Sequence, residues 1–188
     1  MEEEIKKIIE DSINVKKNLS IYKIKEVCNI ISNCYKNNGK LLVCGNGGSA
    51  ADAQHMAGEL VNRFLIERRP LPCLALTTDT SVLTSISNDY SFDEIFSKQV
   101  EAFGNLEDVL IGISTSGNSK NIIRAVDSAK KKGLYTICLL GNDGGYLSKL
   151  SDYSLIVDSK NIPRIQEAHS LIIHTICEMV EKYLFNKI

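Results

Sequence analysis

The sequence predicts an α/β fold: a parallel sheet with helices on both faces. Two observations carry this reading. Five short apolar runs recur along the chain, and segments long enough for a helix separate most of them. Strands buried on both faces read as near-continuous apolar runs, and parallel neighbours need crossover connections of that length. A third observation sets the scale: 44% hydrophobic residues in a chain of 188 are enough to bury one core, so a single globular domain over 1–188 is expected.

The elements follow in order. Ile5, Ile8, Ile9, Ile13, Ile24, Val27, Ile30 and Ile31 fall at three- and four-residue steps, which predicts amphipathic helices over 2–36, ahead of the core. KLLVCG at 40–45 is a short buried strand that delivers the chain to the glycine-rich turn GNGG, with a helix starting near Ser49. LPCLAL at 71–76, DVLIGIS at 108–114, LYTICLL at 134–140 and YSLIVD at 153–158 are the remaining strands. Ile165, Leu171, Ile172, Ile176, Met179, Val180 and Leu184 then predict one long helix over 163–186. No linker, low-complexity tract or repeat interrupts the pattern, and there are only three prolines.

Composition narrows the function classes. The 22 basic and 23 acidic residues nearly cancel, with no long block of either sign, so neither a nucleic-acid footprint nor a membrane patch is expected. The N-terminal MEEEIKKIIEDS lacks the apolar run of a signal peptide, and no stretch approaches the roughly 20 apolar residues of a membrane span, which predicts a cytoplasmic protein. Cys28, Cys34, Cys44, Cys73, Cys138 and Cys177 form no close pairs and mostly sit in apolar runs, so they read as small buried hydrophobes.

In open parallel sheets, ligands bind beyond the carboxyl ends of the strands, where helix N-termini present free N–H groups. Two loops belong there. In GNGGSA at 45–50 the glycines let backbone approach a ligand closely, although glycine after a strand is also plain turn chemistry. STSGNS at 114–119 packs Ser114, Thr115, Ser116 and Ser119 around Gly117 just before the helical run NIIRAVDSAKKK. Four hydroxyls exceed what one helix cap requires, and with the helix dipole they suit a phosphate without any lysine or arginine.

Two polar stripes complete the candidates. His55, Glu59 and Arg63 are spaced by four on the helix after the glycine loop, and Gln166, Ser170 and His174 are spaced by four on the last helix. Polar groups at core-facing positions need partners, because burying one unpaired costs about 1–3 kcal/mol. Spacing alone admits three readings of His55, Glu59, Gln166 and His174: a zinc-type ligand set, an acid and a base, or a solvated helix surface. His169 points away from the second stripe and reads as structural.

Four segments, CGNGGSAADAQHMAGELVNRF at 44–64, SNDYSF at 87–92, GISTSGNS at 112–119 and RIQEAHSLIIH at 164–174, closely resemble the bacterial phosphoheptose isomerases of the sugar isomerase (SIS) fold. The resemblance runs in the same order over nearly the whole chain. It implies a three-layer α/β/α sandwich around a five-stranded parallel sheet of flavodoxin-like order, with the N-terminal helices helping to pack a homotetramer whose active sites lie at subunit interfaces. It implies that Asn46, Gly47, Gly48, Asn88 and Asp89 line a sugar, and that Ser114, Thr115, Ser116 and Ser119 hold its phosphate. His55, Glu59, Gln166 and His174 would bind zinc, Glu59 and Gln166 would also touch substrate, and Glu59 and His174 would be the catalytic pair.

The implied reaction is the isomerisation of sedoheptulose 7-phosphate to D-glycero-D-manno-heptose 7-phosphate through an enediol, feeding lipopolysaccharide or capsule heptose. Pro163 departs from the pattern: some relatives carry an acidic residue there, whereas proline suits the first turn of a helix. Two rivals stand beside this reading. One is an isomerase of another sugar phosphate, and the other a non-enzymatic SIS-fold protein of the type that associates with the initiator DnaA, since fold alone does not settle function. A scaffold has no need for the four polar residues His55, Glu59, Gln166 and His174 together.

Overall fold

A computed structural model describes residues 1–185. Five strands, β1 (Leu41–Gly45), β2 (Cys73–Ala75), β3 (Val109–Ser114), β4 (Tyr135–Gly141) and β5 (Tyr153–Val157), pair in parallel in the order β2-β1-β3-β4-β5. This is the expected flavodoxin-like order, with the direction of winding reversing between β1 and β3. Strands β1, β3 and most of β4 are buried on both faces, which is why they read as unbroken apolar runs. At the edge, only the middle of the 71–76 run pairs, and Leu74 of β2 is part exposed.

Alternation along the strands divides the core in two. Leu41 and Val43 point to one side with Ile111, Ile113, Ile137 and Leu139, where α2 (Ile21–Lys36), α3 (Gly48–Val61) and α8 (Ile162–Leu184) cover them. Leu42 and Cys44 point to the other with Leu110, Cys138 and Leu140, covered by α5 (Ser97–Phe103), α6 (Lys120–Lys131) and α7 (Leu147–Leu150). The expected three layers are thus present. The cysteines are all free; five are buried and Cys73 is partly so.

Two helical features differ from the sequence pattern. Between β2 and β3 the chain forms α4 (Thr80–Asp89), capped by the Asp79 side chain on the Val82 N–H at 3.0 Å, then a 3-10 turn at Phe92–Glu94 and α5. The apolar stripe of α4 is short: Leu83 and Ile86 pack partly buried against the second core, no residue is fully buried, and the Asp79 cap fixes where the helix starts. The first helix, α1 (Glu2–Lys17), has the expected stripe but buries none of it: Ile5, Ile8, Ile9 and Ile13 are 44–53% exposed. The last helix carries Pro163 in its first turn and ends at Leu184; residue 186 of the predicted span lies outside the described residues. No helix among the described residues is long and apolar enough to cross a membrane.

Candidate active site

The carboxyl edge of the sheet gathers three segments. After β1, Gly47 takes φ +55° to turn the chain into α3, and an added Cβ at Gly45 would lie 2.4 Å from the Ser49 carbonyl oxygen, so glycine is required at both positions. After β3 comes the serine loop, and after β5 the start of α8. The Asn46 and Asn121 side chains exchange two hydrogen bonds, 2.9 and 2.8 Å, tying the glycine loop to the first turn of α6. The Gln166 amide packs directly over Gly48, where a Cβ would sit 2.4 Å from its nitrogen.

The serine loop is a compact knot. Ser114 Oγ accepts from the Gly117 N–H at 3.1 Å and lies 3.1 Å from Ser119 Oγ and 3.5 Å from Ser116 Oγ, while Ser116 Oγ accepts from the Asn118 N–H at 3.2 Å. Gly117, at φ +66°, fits against Gly144, whose carbonyl oxygen a Cβ would meet at 2.1 Å. Asn118 reaches the same neighbouring loop by accepting from the Tyr146 N–H at 3.0 Å. Ser119 is the N-cap of α6, yet its hydroxyl makes no capping bond. The first N–H groups of α6 therefore keep their donor capacity beside three hydroxyls, an arrangement suited to an anion.

The polar stripes of α3 and α8 run side by side, and in parallel. Gln166 meets Gly48, the Ser170 hydroxyl donates to Asp52 at 2.9 Å, and His174 meets His55. His55 Nε2 lies 3.0 Å from Glu59 Oε1 and 3.1 Å from His174 Nε2, and the three donor atoms fall within 4.8 Å of one another. The two imidazole rings meet edge-on, and Phe64 stacks on the far side of His174 with centroids 5.5 Å apart. Two imidazole nitrogens and a carboxylate facing one point offer more lone pairs than protons to fill them, which is the donor chemistry of a cation site.

Of the sequence-predicted residues, the structure brings His55, Glu59 and His174 together. Gln166 stands apart from this triplet: it is eight residues from His174, about 12 Å along α8, and it touches the glycine loop instead. Asn46, Gly47 and Gly48 follow β1, and of the four hydroxyl residues Ser114 ends β3 while Thr115, Ser116 and Ser119 follow it. Asn88 and Asp89 end α4, exposed and bonded to each other at 2.9 Å, with no hydrogen bond to the serine loop among the described residues. His169 is fully buried with Nε2 on the Leu140 carbonyl at 3.1 Å, and burial holds its pKa down. Sequence reasoning passed over Asn121, although an asparagine just after a serine-rich cap is one more polar group than a helix start needs.

Residues 4–141 match the family profile described as SIS domain. The phosphoheptose isomerase of Sulfurimonas denitrificans is 52% identical over 186 residues, covering 98% of this chain and 95% of that protein. The chain belongs to the phosphoheptose isomerase family. The solved phosphoheptose isomerase GmhA of Neisseria gonorrhoeae superposes with a TM-score of 0.91 at 42% identity, over 96% of this chain and 98% of that one. That of Francisella tularensis gives 0.92 at 41% identity, over 96% and 97%. These phosphoheptose isomerases cover the first helix and the last alike, so the likeness takes in both polar stripes as well as the serine loop.

Proposed function

We propose that this chain is an aldose–ketose isomerase that converts sedoheptulose 7-phosphate into D-glycero-D-manno-heptose 7-phosphate, an early step towards activated heptose, in the cytoplasm. The observation that carries the reading is the convergence of His55, Glu59 and His174, together with a phosphate-type loop in the same chain. Family membership supports the substrate class, and the triplet argues against a pure scaffold, which has no use for three converging donors.

The chemistry assigned to the chain's own groups is as follows. Ser114, Thr115, Ser116 and Ser119 with the start of α6 hold the phosphate and thereby place the carbonyl end of the sugar. Asn46, Gly47, Gly48, Asn88, Asp89 and Gln166 bound the sugar chain. As free groups rather than as metal ligands, Glu59 carries a proton from C1 to C2 across an enediol, and His174 serves the two oxygens, giving up a proton to one and recovering it from the other. His55, within reach of both Glu59 and His174, orients them.

The donor set fits zinc, which His55, Glu59 and His174 would hold; Gln166, about 12 Å along α8 from His174, would join them only from a neighbouring copy of the chain. Bound there, the metal would stabilise negative charge on the sugar oxygens as a Lewis acid. The triplet lies about two helical turns along α3 from the glycine loop, and Gln166 sits at that loop. Both facts favour a site completed by more than one copy of the chain. The bare isoleucine stripe of α1 and the apolar groove between α2 and α8, lined by Ile21, Ile24, Cys28, Met179 and Tyr183, supply surface for a homotetramer.

The test is turnover of sedoheptulose 7-phosphate by the purified protein, followed by NMR of the sugar, in chelator and with zinc restored. Appearance of the aldoheptose phosphate, lost in chelator and recovered with zinc, is the expected result. Absence of turnover in every metal state would remove the reading.

A further inference from the structure

Residues 62–69, between α3 and the strand β2, carry an ion pair that the isomerase reading does not use. Glu181 and the Arg68 side chain are fully buried. The Glu181 carboxylate accepts four bonds, from the N–H groups of Phe64, Leu65 and Ile66 at 3.0, 2.7 and 2.8 Å and from Arg68 Nε at 2.8 Å. The guanidinium continues to the carbonyl oxygens of Glu59 at 3.0 Å, Leu60 at 2.8 Å and Asn62 at 3.1 Å. Burial alone would raise the Glu181 carboxyl, yet the three N–H groups and the arginine hold it below the usual carboxylate range.

A buried ion pair adds little stability over well-packed apolar side chains, so its value here is sought in what it fixes. Glu181 follows His174 by seven residues on α8, about 20° short of two turns, and so shares its face. Arg68 grips the last carbonyls of α3, the one belonging to Glu59 among them. The loop N–H that Glu181 takes at Phe64 belongs to the residue whose ring stacks on His174. One rigid fork thus joins the helix bearing His55 and Glu59 to the helix bearing His174, and sets the ring against which His174 leans. A guanidinium is suited to this because its planar, directional donors fix orientation as well as distance.

We infer that Arg68 and Glu181 are positioning residues that hold His55, Glu59 and His174 in register for zinc and for proton transfer. The inference rests on the isomerase reading for its activity readout and not for its metal readout. Glu181→Gln and Phe64→Leu are made in the full chain. Circular dichroism first establishes that each is folded at the assay temperature. Zinc affinity of the metal-free protein is then read by competition with a chromophoric chelator, and kcat and KM on sedoheptulose 7-phosphate are measured in saturating zinc.

Groups that orient metal ligands typically govern about 10–100-fold in affinity or activity. The expected result for Glu181→Gln is a folded protein with zinc affinity and kcat each lowered about 10-fold or more and KM within about 2-fold of the parent, with Phe64→Leu moving the same way by less. A folded Glu181→Gln variant with parental zinc affinity and kcat would overturn the inference. If that variant does not fold, Phe64→Leu decides, and parental values there overturn it. Should the parent itself show no turnover, the isomerase reading falls while zinc competition still scores the positioning pair.

Discussion

The serine loop and the histidine–glutamate triplet both gather polar atoms, but from very different lengths of chain. In the loop, six consecutive residues supply the hydroxyls, the positive-φ glycine and the helix start, and the nearest hydroxyls are 3.1 Å apart. In the triplet, His55 and His174 are separated by 119 residues and meet only because α3 and α8 lie parallel. A site made of local chain takes its geometry mainly from its own turns, here with one brace from the loop at 144–147. A site made by two helices depends on whatever fixes their spacing, here Asp52 with Ser170 and Arg68 with Glu181.

Three variants sharpen the contrast. Glu59→Gln removes the proposed proton carrier without altering shape, and turnover is expected to fall about 10²–10⁴-fold, checked by steady-state kinetics; parental activity would end the acid–base assignment. The pair Ser116→Ala with Ser119→Ala touches only the loop. Binding of the sugar phosphate is expected to weaken about 10–100-fold while the melting temperature stays within a few degrees, measured by calorimetric titration and thermal scanning. Unchanged affinity would move the phosphate elsewhere. The smallest effect belongs to Asn121→Ala, which leaves the Asn46 amide without its partner: a loss of about 1 kcal/mol in urea unfolding, with little change in zinc affinity.

The same contrast explains what the sequence made legible. Strands β1, β3 and β4 were visible because residues buried on both faces leave an unbroken apolar signature, the part-exposed edge strands β2 and β5 showed as apolar runs between turns, and both loops showed because their special residues are neighbours. His55, Glu59 and His174 showed only as stripes; that they meet follows from the parallel packing of two helices, which no local pattern encodes. That packing also parts Gln166 from the triplet and sets it over Gly48. Arg68 and Glu181 were overlooked because charged side chains are ordinarily solvated, so nothing about an arginine and a glutamate 113 residues apart signals burial. Helix α4 escaped because its partly buried face amounts to Leu83 and Ile86, too short a stripe to stand out as a period.

Helix α1 has a further consequence. Sixteen residues are close to the lower limit at which a helix persists in water without tertiary support, and within its own chain α1 has little of it: no residue is fully buried, Val15 packs partly buried against the core, and Arg164 donates to the Ile8 carbonyl oxygen at 3.0 Å. If the proposed tetramer covers the isoleucine stripe, the order of α1 is governed in part by mass action. On dilution below the assembly constant, helix content should fall by about the share this segment contributes while the sheet and its two cores remain, so that circular dichroism at successive concentrations traces subunit association through a single segment.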